Sequence, residues 1–341
     1  MPELPEVETV RAGLAEHSVG RPVRAVRVVD ARSLRRHLPG PAHFEAALTG
    51  RALRGAYRRG KYLWLTLSEA DGTLADEALV VHLGMSGQLL VRDEPGGDSG
   101  SDSGGDSGNE SEARAAFDEQ PRHLRVALEL GRAEATGGAA STRQRLLFVD
   151  QRIFGGMFLS PLVPDVPAAV AANEAAPGEV PLDEVPERFL VPEAVKHIAR
   201  DPLDEFFDPA AVRRKFLRTS SGIKKVLLDQ SVISGVGNIF RAESLYRQEI
   251  DPLRPGKSLS DEELERLWED NKHLLVIGVR VGRIITTEPE DRPGVPETEA
   301  WPDHANYVYM HHGEPCRRCG TTIRVEEIAG RKLYWCPGCQ V

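Results

Sequence analysis

The sequence predicts an α+β chain of several domains: a β-rich domain led by a helix, a linker, a helical domain and a small hairpin tail. Three observations carry this. Short β-branched and leucine-rich runs fill the first half, the texture turns helical after residue 200, and all four cysteines stand in the last 26 residues. A length of 341 residues suits two to three domains, at roughly 100–200 residues each. With 40% apolar and 28% charged residues the chain can bury a core. No apolar run nears the roughly 18 residues of a membrane span. The start, MPELPEVETV, carries acids where a signal peptide would be basic and then apolar. A soluble, cytoplasmic chain is expected.

The elements follow in order. Residues 5–15 read as a helix, with Pro5 near the first turn and acids close behind. RAVRVVD (24–30), KYLWLTL (61–67), ALVVHLG (78–84), LRVALEL (124–130) and RLLFVD (145–150) read as strands bounded by turn residues. The Gly/Ser/Asp tract at 95–111 has nothing to pack and reads as a flexible, solvated loop. An Ala/Pro/Glu-rich stretch at 164–188 reads as a linker. Asp208-Pro209 supplies an N-cap and a first helical residue for a helix through about Leu217. SGVGNIFRAESLYRQ (234–248) is a glycine turn feeding another helix. Ser260 with Glu263 forms a capping box for a long helix, with Leu264, Leu267, Trp268, Leu274 and Leu275 on its apolar side. The expected limits are 1–163 for the β domain with an acidic, disordered insertion at 93–120, 164–195 for the linker, 196–311 for the helical domain and 312–341 for the tail.

The formal charge of −9 does not exclude a nucleic-acid partner, because the acid is unevenly placed. Residues 93–120 hold nine acidic side chains and one basic, and 171–188 and 288–299 hold five and one each. Outside these segments the formal charge is +7. A basic body with acidic loops is compatible with DNA or RNA, since phosphate contacts depend on the local field.

Cys316-x2-Cys319 and Cys336-x2-Cys339 have sixteen residues between them. Two such knuckles fit one tetrahedral, four-thiolate zinc ion on a β-hairpin. Two disulfides are the alternative, disfavoured in a cytoplasmic chain with no other cysteine. A closed site of this kind is structural and does not activate water. Arg317, Arg318, Arg324, Arg331 and Lys332 decorate it, as a phosphate-meeting finger or as an ordinary solvated surface.

Pro2 follows the initiator Met, whose removal would expose a secondary amine. An α-amine titrates near pH 8, against about 10.4 for lysine, so part of it is nucleophilic near neutrality. Such a nitrogen can attack a sugar aldehyde carbon and form an iminium ion. Glu3 and Glu6 stand three apart on one helical face, where a carboxylate can move protons. On residue pattern alone, Met85 and Phe154 read as core side chains, Lys61 as an edge gatekeeper and Asn238 as a helix cap.

PELPEVETV resembles the N-terminus of the formamidopyrimidine-DNA glycosylases, bifunctional base-excision enzymes that remove oxidised purines. Further matches follow in order: RGKYLWL with Lys61, HLGMSG with Met85, DQRIFGG with Arg152 and Phe154, SGVGNIF with Asn238, and GEPCRRCG through LYWCPGCQ with Arg331 five residues before Cys336. The resemblance spans the chain apart from the acidic loop and linker. It implies an N-terminal β-sandwich with a leading helix, a helix–two-turn–helix domain and a zinc finger, acting as a monomer on damaged double-stranded DNA, with no membrane partner. The implied setting is a bacterial-type cytoplasm, in use at the nucleoid.

By the same resemblance, Pro2 is the nucleophile at C1′ and Glu3 the general acid/base. Lys61 contacts phosphate and supports elimination. Asn238 and Arg331 hold flanking phosphates, and Arg331 also counts with the catalytic set. Glu6 counts with the DNA-binding residues. Met85, Arg152 and Phe154 fill the gap left by the flipped nucleotide, a step that chemistry on a stacked base requires. The implied activity is glycosylase with AP-lyase action, through β- and δ-elimination. Two departures stand out. Many members carry two arginines before the wedge phenylalanine where this chain has Arg152-Ile153, and segment 281–316 lacks the usual glycine-threonine run. The ending LYWCPGCQ is also close to the sister family, endonuclease VIII, which prefers oxidised pyrimidines. The alternatives are therefore an endonuclease VIII-like glycosylase and a non-catalytic DNA-binding homologue.

Overall fold

The computed structural model describes residues 2–93, 119–132, 142–167, 170, 182–328 and 330–341. Of the acidic segment expected at 93–120, residues 94–118 lie outside the described residues, as do 168–169 and 171–181 of the linker. The chain forms two compact units. The first holds Pro2, Val10–Arg58 and Tyr62–Lys196; the second holds Glu3–Thr9, Arg59–Lys61 and His197–Val341.

The leading helix α1 spans Leu4–His17. In the first unit β1 (Val23–Val28), α2 (Pro41–Leu48), β2 (Ala52–Arg59), β3 (Tyr62–Ser68), β4 (Leu74–His82) and β5 (Gly87–Asp93) follow. Then come β6 (Leu124–Leu130), β7 (Gln144–Asp150), β8 (Gly156–Pro164) and β9 (Leu190–Pro192). They build two antiparallel sheets, ordered β1-β6-β7-β5 and β2-β3-β4-β8-β9. Leu63, Leu65, Leu67, Leu79, Val81, Leu146 and Phe148 are buried, which gives the sandwich its core at roughly 1.5–3 kcal/mol per side chain. The β5–β7 register sets Gly87 opposite Asp150. That pairing brings the turn before β5 beside the turn after β7. Within the segment read as linker, β9 pairs with β8 from Leu162↔Pro192 to Pro164↔Leu190 and closes a sheet edge.

The second unit is helical. In α3 (Pro209–Leu217) the Asp208 side chain accepts from the Ala211 N–H, and Pro209 opens the first turn. Helix α4 spans Asn238–Arg247 and α5 spans Asp261–Val281. Both halves of the Ser260/Glu263 capping box form, and Gly282 ends α5 in the left-handed region at φ 74°. Leu264, Leu267, Trp268, Leu274 and Leu275 join Phe216, Phe240 and Leu245 in one core. Strands β10 (Arg324–Ile328) and β11 (Arg331–Trp335) form the hairpin of the tail. Its core continues into Ala242 and Tyr246 of α4.

Segment 281–316 packs tightly. Ile285, Ala300 and Ala305 bury against Ile277 and Val281, and Arg247 binds both Asp270 and Glu288. Among the described residues no helix is long and apolar enough to cross a membrane.

Candidate active site

In the second unit the site is built on the glycine turn that opens α4. Glu3 is fully buried. Its Oε2 accepts from the Gly237 N–H at 2.8 Å and the Phe240 N–H at 3.4 Å, and Oε1 accepts from the Ile239 N–H at 2.8 Å. A carboxylate at a helix N-terminus meets the unpaired N–H groups and the positive end of the helix dipole. Glycine is required at 237, where a Cβ would lie 2.2 Å from Glu3 Cδ. Gly235, at φ 89°, turns the chain just before it.

The capping carboxylate thus comes from Glu3. Asn238 does not cap its helix. Its Nδ2 donates to the Lys332 carbonyl at 2.7 Å, and its Oδ1 accepts from Arg241 Nη2 at 2.5 Å. Arg241, buried and unremarkable in the sequence, also donates to the Lys332 carbonyl at 3.0 Å. It thereby ties α4 to the start of β11, where Arg331 is exposed. Burial, and then the charge of Arg331, push Arg241 down to about 10.

Lys61 donates from Nζ to the Val236 carbonyl at 3.0 Å. Burial pushes its ammonium down from the ordinary value; Glu3 opposes that shift and Arg331 adds to it. Lys61 is no edge gatekeeper, since its charge is held on a carbonyl of the same glycine turn that receives Glu3.

Glu6 accepts from the Glu3 N–H through Oε2 at 3.0 Å, one arm of a capping box. Burial raises its carboxyl from 4.5 to about 7. The folded chain therefore holds a proton that the unfolded chain releases between those values. Stability supplied by the protonated form is full below pH 4.5 and is lost as pH rises to about 7. Glu6→Gln is expected to match the parent at pH 4 and to exceed it at pH 8 by about 1–2 kcal/mol, a figure reduced for partial solvent access. Urea unfolding at the two pH values checks this; an identical difference at both refutes it.

In the first unit Met85, Arg152 and Phe154 come together. Met85 is 40% exposed and Phe154 49%, so neither is a core side chain. The buried Asp150 links their turns. Its Oδ1 accepts from Ser86 Oγ at 2.6 Å and the Arg152 N–H at 3.1 Å, and its Oδ2 from the Gly155 N–H at 2.8 Å. Gly84, at φ 65°, lets the turns touch: a Cβ there would lie 2.3 Å from Gly155 N. Ile153 stands at φ 57°, where a β-branched residue is strained by about 1–3 kcal/mol. Arg152 Cζ lies 5.4 Å from the Phe154 ring centroid. The sequence marked the exposed residues of this turn but not Asp150, whose only signal was a carboxylate ending a strand.

The four cysteine Sγ atoms lie within 4.8 Å of one another. Cys316–Cys339 and Cys319–Cys336 are 3.8 and 3.4 Å apart. A tetrahedral ion bound at about 2.3 Å separates its sulfurs by about 3.8 Å, so the cluster fits one zinc. Tyr246 Oη lies 3.2 Å from Cys316 Sγ, joining α4 to the metal site.

Three family patterns match in order. The formamidopyrimidine-DNA glycosylase N-terminal domain covers residues 1–157, the H2TH domain of that enzyme 198–290, and the zinc finger found in FPG and IleRS 313–341. A formamidopyrimidine-DNA glycosylase of Nocardia farcinica is 42% identical over 343 residues, covering all of this chain and 98% of the relative. The chain belongs to the formamidopyrimidine-DNA glycosylase family. A formamidopyrimidine-DNA glycosylase of Nocardioides is 39% identical over 340 residues, covering all of this chain and 94% of the relative. Lactococcus lactis Fpg, solved with DNA containing an abasic site, is 24% identical with a TM-score of 0.67 and 100% coverage of both chains. At that identity it supports the fold of this glycosylase-family chain alone.

The four-cysteine cluster of this glycosylase-family chain is its structural zinc site, and removal of the ion is expected to loosen the finger. Cys336→Ser, or chelation, should weaken affinity for duplex DNA about tenfold or more while the β-sandwich keeps its melting transition. Calorimetry with and without chelator checks this; loss of every transition would make the finger integral to the whole chain.

Proposed function

We propose that the chain is a base-excision-repair DNA glycosylase with AP-lyase activity, removing 8-oxoguanine and formamidopyrimidines from duplex DNA as a cytoplasmic monomer at the nucleoid. Residues 1–163 act as the catalytic domain, 164–195 as a linker, 196–311 as the helix–two-turn–helix domain and 312–341 as the zinc finger. The observation that carries the reading is the Glu3 carboxylate, fixed by three backbone N–H groups directly after the Pro2 nitrogen in the chain.

After loss of Met1, the Pro2 nitrogen attacks C1′ as the glycosidic bond breaks and the base leaves with the bonding pair and a proton. Glu3 serves the proton transfers of base loss and sugar opening. An ionised carboxylate offers about four acceptor positions, and three are taken by the helix, leaving one on Oε1. The nitrogen gives up its proton, the C1′–O4′ bond breaks with protonation of O4′, and the C1′ iminium forms. It acidifies C2′, whose proton loss expels the 3′ phosphate, and the conjugated iminium that results acidifies C4′, whose proton loss expels the 5′ phosphate. Water finally hydrolyses the iminium.

Lys61, Asn238 and Arg331 hold phosphates around the lesion, with Arg331 also supporting catalysis, and Glu6 contributes to binding. Met85, Arg152 and Phe154 fill the vacated stack, which offsets a few kcal/mol of unstacking. Cys316, Cys319, Cys336 and Cys339 hold zinc, which shapes the finger and takes no part in the reaction.

Borohydride trapping on duplexes carrying 8-oxoguanine or an oxidised pyrimidine tests the reading. A covalent adduct with the purine lesion is expected. An adduct with the pyrimidine lesion alone would shift the assignment to endonuclease VIII-like specificity, and none with either would leave a DNA-binding homologue.

A further inference from the structure

We propose that Arg35 is the positioning residue that holds the 152–155 turn in its projecting form, so that Phe154 and Arg152 enter a base stack without first being ordered. The proposal rests on the reading of the chain as a base-flipping glycosylase. Arg35 follows a 3-10 turn, Ala31–Leu34, whose cap Asp30 accepts from the Arg32 N–H and is held by Arg125 Nη1 at 3.0 Å. From that mount its guanidinium meets three successive carbonyls. Nη1 donates to Ile153 O at 3.2 Å and Gly155 O at 2.7 Å, and Nη2 donates to Phe154 O at 2.5 Å.

Successive carbonyls converge on one cation only where the backbone curls, and here Ile153 supplies the curl at φ 57°. A β-branched residue would leave that conformation if nothing over-determined it. Two groups do so from opposite edges. Asp150 takes the N–H groups of Arg152 and Gly155, and Arg35 takes the carbonyls between and beyond them. The planar fork can span several acceptors where an ammonium is a point charge, so lysine would replace the charge without the grip. The hydrogen bonds of the Arg35 guanidinium described here run to the turn's backbone carbonyls, and neither Phe154 nor Arg152 needs it for burial, since both are exposed.

The test compares the parent with Arg35→Ala and Arg35→Lys. Amide exchange in the DNA-free protein should be at least about tenfold faster at Arg152 and Gly155 in Arg35→Ala, with the sandwich strands unchanged. Single-turnover base release from a fully stacked lesion duplex should fall about tenfold. Release from a duplex whose lesion lies in a bulge, already unstacked, should stay within about twofold. Arg35→Lys should fall between the parent and Arg35→Ala on the stacked duplex. Equal losses on both duplexes would mean that Arg35 acts through a phosphate contact or the fold, and would overturn the proposal. Unchanged exchange at the turn would overturn it as well. A parent that releases no base from either duplex would remove the glycosylase reading, while the exchange measurement would still decide whether Arg35 orders the turn.

Discussion

Pro2→Gly is expected to abolish most covalent trapping and to slow strand scission at least about 100-fold, equivalent to about 2.7 kcal/mol of barrier, with duplex affinity within a few-fold of the parent. The variant keeps an α-amine of similar basicity, so the loss isolates what proline adds. A secondary amine condensed with C1′ carries no N–H to lose. Its iminium stays cationic at any pH and remains an electron sink for the eliminations. A glycine imine must first be protonated to do the same. Gel shift with undamaged and lesion duplexes, beside borohydride trapping, separates chemistry from binding. Trapping at the parent's rate, with no other amine in the adduct, would remove Pro2 as nucleophile.

Much of the fold was legible because local physics wrote it. Asp208-Pro209 and Ser260 with Glu263 each cap a helix within a few residues, and both helices begin where those pairs put them. Strands with dense apolar runs, such as Leu124–Leu130, were equally plain. Others were not. The strand Ala52–Arg59 carries four arginines or glycines among eight residues, and Gly156–Pro164 includes Pro161, so neither has the clean pattern of a buried strand. Their pairing is decided by neighbours: Gly156–Pro161 lies along Glu77–His82.

The candidate site divides in the same way. Sequence motifs marked the residues that end in solvent or carry charge, among them Met85, Phe154, Lys61 and Arg331. They could not mark the groups that aim them. Asp150 and Ser86 meet across 64 positions and Arg35 reaches Gly155 across 120, which no local spacing records. Glu3 was marked for chemistry, yet its bonds to Gly237 and Ile239 span more than 230 positions and explain why glycine stands at 237.

That dual position of Glu3 makes Glu3→Gln the second large effect. Base release from a lesion duplex should fall at least about 100-fold, because an amide cannot exchange the proton that the leaving base and opening sugar require. The same change disturbs the helix end. One amide edge would present N–H groups to backbone N–H groups that now donate to a carboxylate, and the negative charge at the α4 N-terminus would be lost. The expected penalty is about 1–3 kcal/mol on unfolding. The two effects separate on a duplex with a preformed abasic site. There the aldehyde carbon is already available and no base needs to leave, so trapping through Pro2 should persist within about tenfold of the parent. Loss on the lesion duplex with retention on the abasic duplex is the signature of a proton-transfer role. Equal loss on both, together with a lowered melting temperature, would make Glu3 a helix cap that merely holds Asn238 and Lys61 in place. Undiminished base release would remove Glu3 from the mechanism.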